Sequence, residues 1–207
     1  MDPTLYVILD RTVAGGRDLG GLLEAVIAGG ARMVQLREKV WASGRLLPVA
    51  ERLRARCRTA GVTFVMNDRV DLAVAVDADG VHLGQDDLPP RSARPLLRPG
   101  MILGVSTHSV EQARRAQADG ADYVAVGAMF PTQTKSDFEL VGPSLVRAVR
   151  SEIRVPLVGI GGITPDNVGE VIRAGADGVA VISAICASPD PAAASARLLD
   201  AIRRARR

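Results

Sequence analysis

Residues 101–126 read MILGVSTHSVEQARRAQADGADYVAV, and they hold one complete strand–helix–strand unit. Apolar, β-rich runs at 101–105 and 123–126 predict two strands. The segment 109–118 between them has the spacing of an amphipathic helix. Gly120 then permits the left-handed backbone that commonly ends a helix. A strand, a helix and a second strand in this order are typical of a parallel sheet.

Two helix starts carry local signals. Ser109 is followed three residues later by Gln112, which is the pattern of a capping box. Thr164 before Pro165 predicts an N-cap followed by proline at the first helical position, where a missing N–H costs nothing.

The same alternation continues along the chain. Strands are predicted at 5–9, 33–36, 63–66, 80–83, 101–105, 123–126, 156–159 and 178–181. Helices are predicted at 18–28, 43–60, 69–76, 91–97, 109–118, 143–150, 165–174 and 191–206. A weak internal repeat marks the boundaries between helix and strand, at 29–34, 78–81, 120–124 and 175–179.

Eight alternating units with no linker predict a single-domain (β/α)8 TIM barrel spanning residues 1–207. An open doubly wound sheet is the competing fold. It would need fewer strands, or a nucleotide-binding glycine fingerprint after the first strand, and residues 8–11 show none.

Composition narrows the classes of partner. A hydrophobic content of 47% and a charged content of 24% are ordinary for a soluble globular protein. Scattered arginines, a net charge of +3 and 3% aromatic residues favour anionic small molecules over nucleic acid. Cys57 and Cys186 are too few for a disulfide scaffold, so we expect small apolar cysteines in a reducing compartment. Without an export signal or a long apolar run, we expect a cytoplasmic location and no membrane partner.

Only two of the 26 basic residues are lysines, Lys39 and Lys135, and both follow predicted strands. A compact ammonium acts as a point charge on a phosphate, a role that a planar guanidinium fills differently. Chance in a composition-biased chain is the alternative, so the neighbouring residues decide the interpretation.

In a (β/α)8 barrel the active site lies at the carboxyl ends of the strands. Side chains alternate along a strand, which predicts that Gln35, Arg37 and Lys39 share one face after the second strand. An amide, a guanidinium and an ammonium at one place suit a phosphate or pyrophosphate. A solvated strand end with an incidental charge run is the alternative.

Acidic and amide residues follow the third and fourth strands. Carboxylates from neighbouring strand ends suit Mg²⁺, which keeps several waters and takes further oxygens from substrate phosphates. The candidates are Asn67 and Asp68 after the third strand, and Asp86 and Asp87 after the fourth. The alternative is that Asn67 or Asp68 caps the helix that starts near Arg69, and that Asp87 caps the helix that starts after Pro89 and Pro90.

The remaining strand ends carry hydroxyls and glycines. Such residues can hold a polar ring and its phosphate, and loops after the seventh and eighth strands commonly bind phosphate through backbone amides. The candidates are Ser106 after the fifth strand, Thr132, Thr134 and Lys135 after the sixth, Gly162 after the seventh, and Ile182 and Ser183 after the eighth.

Five motifs occur in one order along the chain. They are QLREK at 35–39, ND at 67–68, VHLGQxD at 81–87, GVSTH at 104–108 and FPTxTK at 130–135. With these motifs the chain resembles the thiamine phosphate synthase family over nearly its whole length. One departure is Gly127-Ala128-Met129, where the family usually has Gly-Pro and a β-branched residue, which puts the stiffness of that loop in doubt.

The resemblance implies a transferase that joins hydroxymethylpyrimidine diphosphate to hydroxyethylthiazole phosphate and releases pyrophosphate by Mg²⁺-assisted dissociation. It implies that Gln35, Arg37, Lys39, Asn67, Ser106 and Lys135 hold the pyrimidine diphosphate, with Arg37, Lys39 and Lys135 as the catalytic cations. It further implies that Asp68 and Asp87, rather than Asp86, ligate Mg²⁺, and that Thr132, Thr134, Gly162, Ile182 and Ser183 hold the thiazole phosphate.

Three other functions stay open from the sequence. A thiazole tautomerase of the same fold would use His108 to move a proton. The others are a phosphate-binding barrel isomerase and a non-catalytic barrel that binds thiamine phosphate. We expect His82 and His108 to be packed or capping residues rather than acid–base groups. The oligomeric state is open, and a homo-oligomer is compatible with the sequence.

Overall fold

A computed structural model of the protein describes residues 1–132 and 140–207, in which eight parallel strands pair in sequence order and close into one barrel. The strands are β1 (Leu5–Asp10), β2 (Met33–Arg37), β3 (Thr63–Asn67), β4 (Gly80–Leu83), β5 (Ile102–Thr107), β6 (Tyr123–Val126), β7 (Leu157–Ile160) and β8 (Gly178–Val181). The helices are α1 (Leu19–Ala28), α2 (Ser43–Ala60), α3 (Val70–Ala75), α4 (Pro90–Ala93), α5 (Val110–Ala118), α6 (Gly142–Glu152), α7 (Val168–Arg173), α8 (Ser183–Cys186) and α9 (Pro191–Ala205).

The predicted single-domain (β/α)8 fold is confirmed, and β8 pairs with β1 to close the barrel. The capping prediction for α5 is confirmed too, since Ser109 Oγ accepts a hydrogen bond from Gln112 N at 3.2 Å. Within the two described ranges, no helix is long and apolar enough to cross a bilayer.

Two helix predictions were wrong in detail, and one short helix was missed. The helix predicted at 165–174 begins only at Val168, because Asn167 accepts from Thr164 N at 2.8 Å and donates to Gly162 O at 3.0 Å, which braces a turn instead. The helix predicted at 91–97 is α4 followed by a 3₁₀ turn, since Pro95 cannot donate the backbone bond that would continue it. The short helix α8 was not predicted.

Three of the four repeat segments, 78–81, 120–124 and 175–179, contain an Ala-Asp pair with a structural role at the amino-terminal edge of the barrel, whereas the segment at 29–34 has Arg32 in that place. The aspartate of each segment precedes an even-numbered strand and accepts a hydrogen bond from a backbone N–H of the strand before it. The bonds run to Asp79 from Phe64, to Asp122 from Leu103 and to Asp177 from Leu157, each at 2.7 Å. The same aspartates pair with Arg54, Arg94 and Arg150 respectively. Each of these three segments therefore links two adjacent strands.

The barrel interior is filled by inward-facing side chains from alternate strand positions. Its buried members are Tyr6, Ile8, Met33, Val65, Tyr123, Ala125, Val158 and Ala180. Gly104 makes room for the Tyr123 ring, because a Cβ at Gly104 would lie 2.0 Å from Tyr123 Cζ. The small residues Ala125 and Ala180 lie beneath a cavity at the carboxyl ends of the strands.

Candidate active site

The three polar residues predicted from the QLREK motif are held by different parts of the backbone. Strand β2 ends at Arg37, so strand alternation applies to Gln35 and Arg37 only, and Lys39 lies in the bend that follows. The expectation that all three share one strand face was therefore wrong for Lys39. Each side chain has its own partner: Gln35 contacts Tyr6, Arg37 pairs with Asp10, and Lys39 pairs with Asp68.

Asp10 is a buried residue that the sequence did not single out. It lies opposite Arg37 in the β1–β2 register, and its carboxylate pairs with the Arg37 guanidinium. Its other oxygen accepts from Val13 N at 3.0 Å. A buried carboxylate held by a backbone donor gives the guanidinium a defined orientation at the top of β2. The signal in the sequence was an aspartate at the end of an otherwise apolar first strand.

Asp68 and Asp87 are brought close together at the ends of β3 and β4. Burial, together with the nearby Asp87 carboxylate, raises the pKa of Asp68, and the Lys39 ammonium acts in the opposite direction. Asp87 accepts from Gly84 N at 2.7 Å. Asp86 is exposed.

The helix-capping alternative for these residues is wrong. The N-cap position of α3 is Arg69 and that of α4 is Pro89, and neither helix has a side-chain cap bond. Asp68 has φ of 61°, a left-handed conformation that aspartate adopts at a cost on the order of 1 kcal/mol. A hydrogen bond from Asp68 N to His82 O, at 2.8 Å, helps to hold it there.

Asn67 presents a buried amide donor at the end of β3. Its Nδ2 atom is buried and has no hydrogen-bond acceptor in the part of the chain that the structure describes. A buried donor left unpaired costs about 1–3 kcal/mol, so this position favours an added acceptor such as a phosphate oxygen.

A hydrogen-bonded chain crosses the barrel interior beneath these residues, and we call it the buried chain. It runs from Gln35 Nε2 to Tyr6 Oη (2.5 Å), to Tyr123 Oη (3.0 Å), to His82 Nδ1 (2.8 Å), and from His82 Nε2 to Ser106 Oγ (2.8 Å). Burial raises the pKa of both tyrosines, so both phenols stay protonated. The expected packing of His82 is confirmed, since it is buried.

Sequence reasoning missed the role of both tyrosines in this chain. Tyr6 and Tyr123 are the only tyrosines in the protein. Both occupy apolar strands, where the sequence pattern indicated core packing alone. Their scarcity and their position in strands were the available signal.

The residues predicted for the second phosphate surround the cavity on the opposite side of the barrel mouth. Its lining includes Thr132, Gly162, Ile182 and Ser183. Ser106, which was predicted for the pyrimidine diphosphate, lines it too. Gly162 has φ of 64°, and a Cβ there would lie 2.6 Å from the carbonyl oxygens of the 130–131 segment, so glycine is required for this close approach of two loops.

Two predicted site residues, Thr134 and Lys135, lie outside the described ranges. His108 lines the cavity, is exposed, and donates from Nδ1 to Gly127 O at 2.6 Å. Its side chain is therefore neither packed nor the cap of α5, whose N-cap residue is Ser109. The peptide bond between Gly127 and Ala128 is cis.

Across residues 1–132 and 140–207, no group of three or more His, Cys, Asp or Glu could hold a metal ion. Cys57 and Cys186 are buried and free, as expected.

Comparison with known proteins agrees with the motif resemblance. The family model described as thiamine monophosphate synthase matches residues 5–185. The thiamine-phosphate synthase of Moorella thermoacetica is 48% identical over 98% of this chain and 97% of that protein. The thiamine-phosphate synthase of Methanospirillum hungatei is 46% identical over 97% of this chain and 98% of that protein.

Solved structures give the same result. The thiamine phosphate pyrophosphorylase from Pyrococcus furiosus superposes with a TM-score of 0.89 at 36% identity, covering 99% of this chain and 97% of that one. A 3-hexulose-6-phosphate synthase has a TM-score of 0.74 at 22% identity, over 96% of this chain and 99% of that one, and shares the fold alone. With the motifs, the matched family and these relatives in agreement, the chain belongs to the thiamine monophosphate synthase family.

Proposed function

We propose that the protein is a transferase that joins hydroxymethylpyrimidine diphosphate to hydroxyethylthiazole phosphate, forming thiamine phosphate and pyrophosphate. The observation that carries this proposal is the grouping at the ends of β2 to β4. There a guanidinium and an ammonium lie around a pair of carboxylates, together with an amide donor that no acceptor in residues 1–132 and 140–207 satisfies. This set of groups suits a diphosphate with a divalent cation.

Mg²⁺ fits the residues present. Asp68 and Asp87 would hold it, because two nearby carboxylates leave the remaining positions to water and substrate oxygens. Burial and the nearby Asp87 carboxylate both raise the pKa of Asp68, and a cation beside the pair would offset the lost solvation as well as their repulsion. When bound, Mg²⁺ would neutralise charge on the diphosphate.

The protein side chains would act on the leaving group. Arg37, oriented by Asp10, and Lys39 would bind the diphosphate oxygens, joined by Asn67 Nδ2 and the Ser106 hydroxyl. As the bond from the pyrimidine methylene to oxygen breaks, its electron pair leaves with the pyrophosphate. Preorganised donors at that position stabilise the developing charge, and one such donor is worth about 10²–10³ in rate in other enzymes.

The second substrate would lie in the cavity on the opposite side. Thr132, Gly162, Ile182 and Ser183 would hold its phosphate and place the thiazole nitrogen next to the methylene carbon. The nitrogen lone pair then forms the new bond, and no protein base is required. Holding both rings in contact supplies the proximity advantage. Lys135 and Thr134 keep their predicted roles as a leaving-group cation and a thiazole-phosphate ligand.

The test is turnover of the purified protein with both substrates, measured as thiamine phosphate and pyrophosphate formed. We expect equal amounts of both products, loss of activity with a chelator, and recovery with added Mg²⁺. Isomerisation of a thiazole without ring joining would support the tautomerase instead. Binding of thiamine phosphate without turnover would support a non-catalytic barrel.

A further inference from the structure

The buried chain joins Ser106, which the proposed function places on the substrate diphosphate, to Gln35, which the family resemblance places there. Its members come from five strands, and its ends, Gln35 on β2 and Ser106 on β5, lie three strands apart around the barrel. The three residues between them are Tyr6, Tyr123 and His82, and all three are buried. A change in the middle of the chain therefore acts on substrate ligands without touching substrate.

The donors and acceptors give the chain a direction. An amide nitrogen can only donate, so Tyr6 Oη accepts from Gln35. Either tyrosine hydroxyl could donate in the bond between them, and donation from Tyr6 gives both buried hydroxyl protons an acceptor. The Tyr123 proton in turn has His82 Nδ1 as its acceptor. A neutral imidazole that accepts at Nδ1 carries its proton on Nε2. With that tautomer, His82 Nε2 would donate to Ser106 Oγ, and the Ser106 hydroxyl proton would remain for another acceptor.

We propose that Tyr6, Tyr123 and His82 are positioning residues that impose this direction, so that Ser106 donates its hydroxyl proton to the substrate diphosphate. This proposal rests on the proposed function, because it concerns the same leaving group. A hydroxyl that donates stabilises the charge that the leaving group gains, whereas one whose proton is directed at His82 would not.

The packing around Tyr123 leaves room for its hydroxyl to reach His82. Gly104 lies two residues before Ser106 on β5, and a Cβ there would meet Tyr123 Oη at 2.3 Å. The strand that presents Ser106 thus also leaves the space in which the Tyr123 hydroxyl reaches His82.

The first test is kinetic. Tyr123→Phe should lower kcat/KM for the pyrimidine diphosphate by about tenfold and leave KM for the thiazole phosphate unchanged. In a Ser106→Ala background the same substitution should cost little more, because the effect passes through Ser106. The matched control is Ser195→Ala, which removes a buried hydroxyl bonded to Pro191 O at 2.7 Å in α9, far from the site. Wild-type kinetics in Tyr123→Phe, or fully additive losses in the double variant, would overturn the proposal.

The second test does not depend on activity. The chain has only two histidines, so ¹⁵N-labelled histidine gives a simple NMR spectrum, and a His108→Gln variant assigns it. We expect His82 to be neutral with its proton on Nε2. His108 should carry one on Nδ1, because it donates to Gly127 O. Tyr123→Phe should remove the single His82 tautomer. An Nδ1–H tautomer at His82 in the wild type would refute the direction of the chain.

The two proposals fail separately. A wild-type protein that does not join the substrates refutes the proposed function, and the histidine spectrum still reports the direction of the chain. An active wild type with an unaffected Tyr123→Phe variant refutes only the positioning role. If Tyr123→Phe does not fold, Tyr6→Phe breaks the same chain one contact away and serves in both experiments.

Discussion

Replacing Asp10 by asparagine should destabilise the protein and loosen its hold on the diphosphate. Asn keeps the size of the side chain and an acceptor for Val13 N, but it removes the charge opposite Arg37. Breaking a fully buried ion pair costs about 3–5 kcal/mol. The Asp10 and Arg37 side chains are 3% and 17% exposed, so water partly compensates, and we expect a loss of about 2–3 kcal/mol.

Urea unfolding would measure the stability of Asp10→Asn, and heating should show a fall in Tm of about 4–12 °C for a chain of this size. A freed guanidinium should also raise KM for the pyrimidine diphosphate about tenfold, or roughly 1.4 kcal/mol of binding, and leave KM for the thiazole phosphate unchanged.

Asp200→Asn is the matched control for Asp10→Asn. Asp200 pairs with Arg203 at 3.4 Å, with both side chains more than half exposed, so its loss should stay within about 0.5 kcal/mol. Equal stability of the two variants would refute the argument that burial makes the Asp10 pair strong. Equal KM changes for both substrates would refute the orienting role of Asp10.

Three further predictions concern the proposed cation site and its lysines. Asp68→Asn and Asp87→Asn should each lower turnover, and a raised Mg²⁺ concentration should partly restore it. The far-UV circular dichroism spectrum of both variants should be unchanged. Variants that lose stability but keep full activity would contradict a metal role. Because the pKa of Asp68 is raised above 3.8, the folded state binds its proton more tightly than the unfolded state does. The stability contributed by this group should therefore fall as pH rises from 3.8 through the raised value, and urea unfolding at several pH values should show a flatter dependence in Asp68→Asn. Lys39→Arg and Lys135→Arg keep the positive charge but spread it over a planar guanidinium. The steady-state rate should therefore fall at least about tenfold in Lys135→Arg and in the same direction in Lys39→Arg. Wild-type rates in both variants would show that these positions need only a positive charge.

Much of the site was predictable because its residues stand next to strand ends. The motifs around Gln35, Asp68 and Ser106 are local in sequence, and barrel closure brings the ends of β2, β3 and β5 to one mouth. The hydroxyl and glycine residues around the cavity proposed for the thiazole phosphate were predictable for the same reason.

The partners of those residues were not predictable in this way. Asp10 and Tyr123 look like ends or interiors of apolar strands in the sequence, and only the register shows what faces them. The late start of α7 at Val168 was also not predictable from the sequence. The Asn167 side chain stabilises a turn there through two hydrogen bonds, which a helical sequence pattern does not reveal.

The sequence by itself determined the eight strand–helix units, the parallel sheet and the residues at the strand ends, because periodicity, caps and glycine turns act over a few neighbouring residues. Only the tertiary structure decided which side chains meet. Lys39 and Asp68 are 29 residues apart, and Tyr6 and Tyr123 are 117 apart. Such pairs depend on the register with which eight strands close into a barrel, and that register results from packing the whole interior at once.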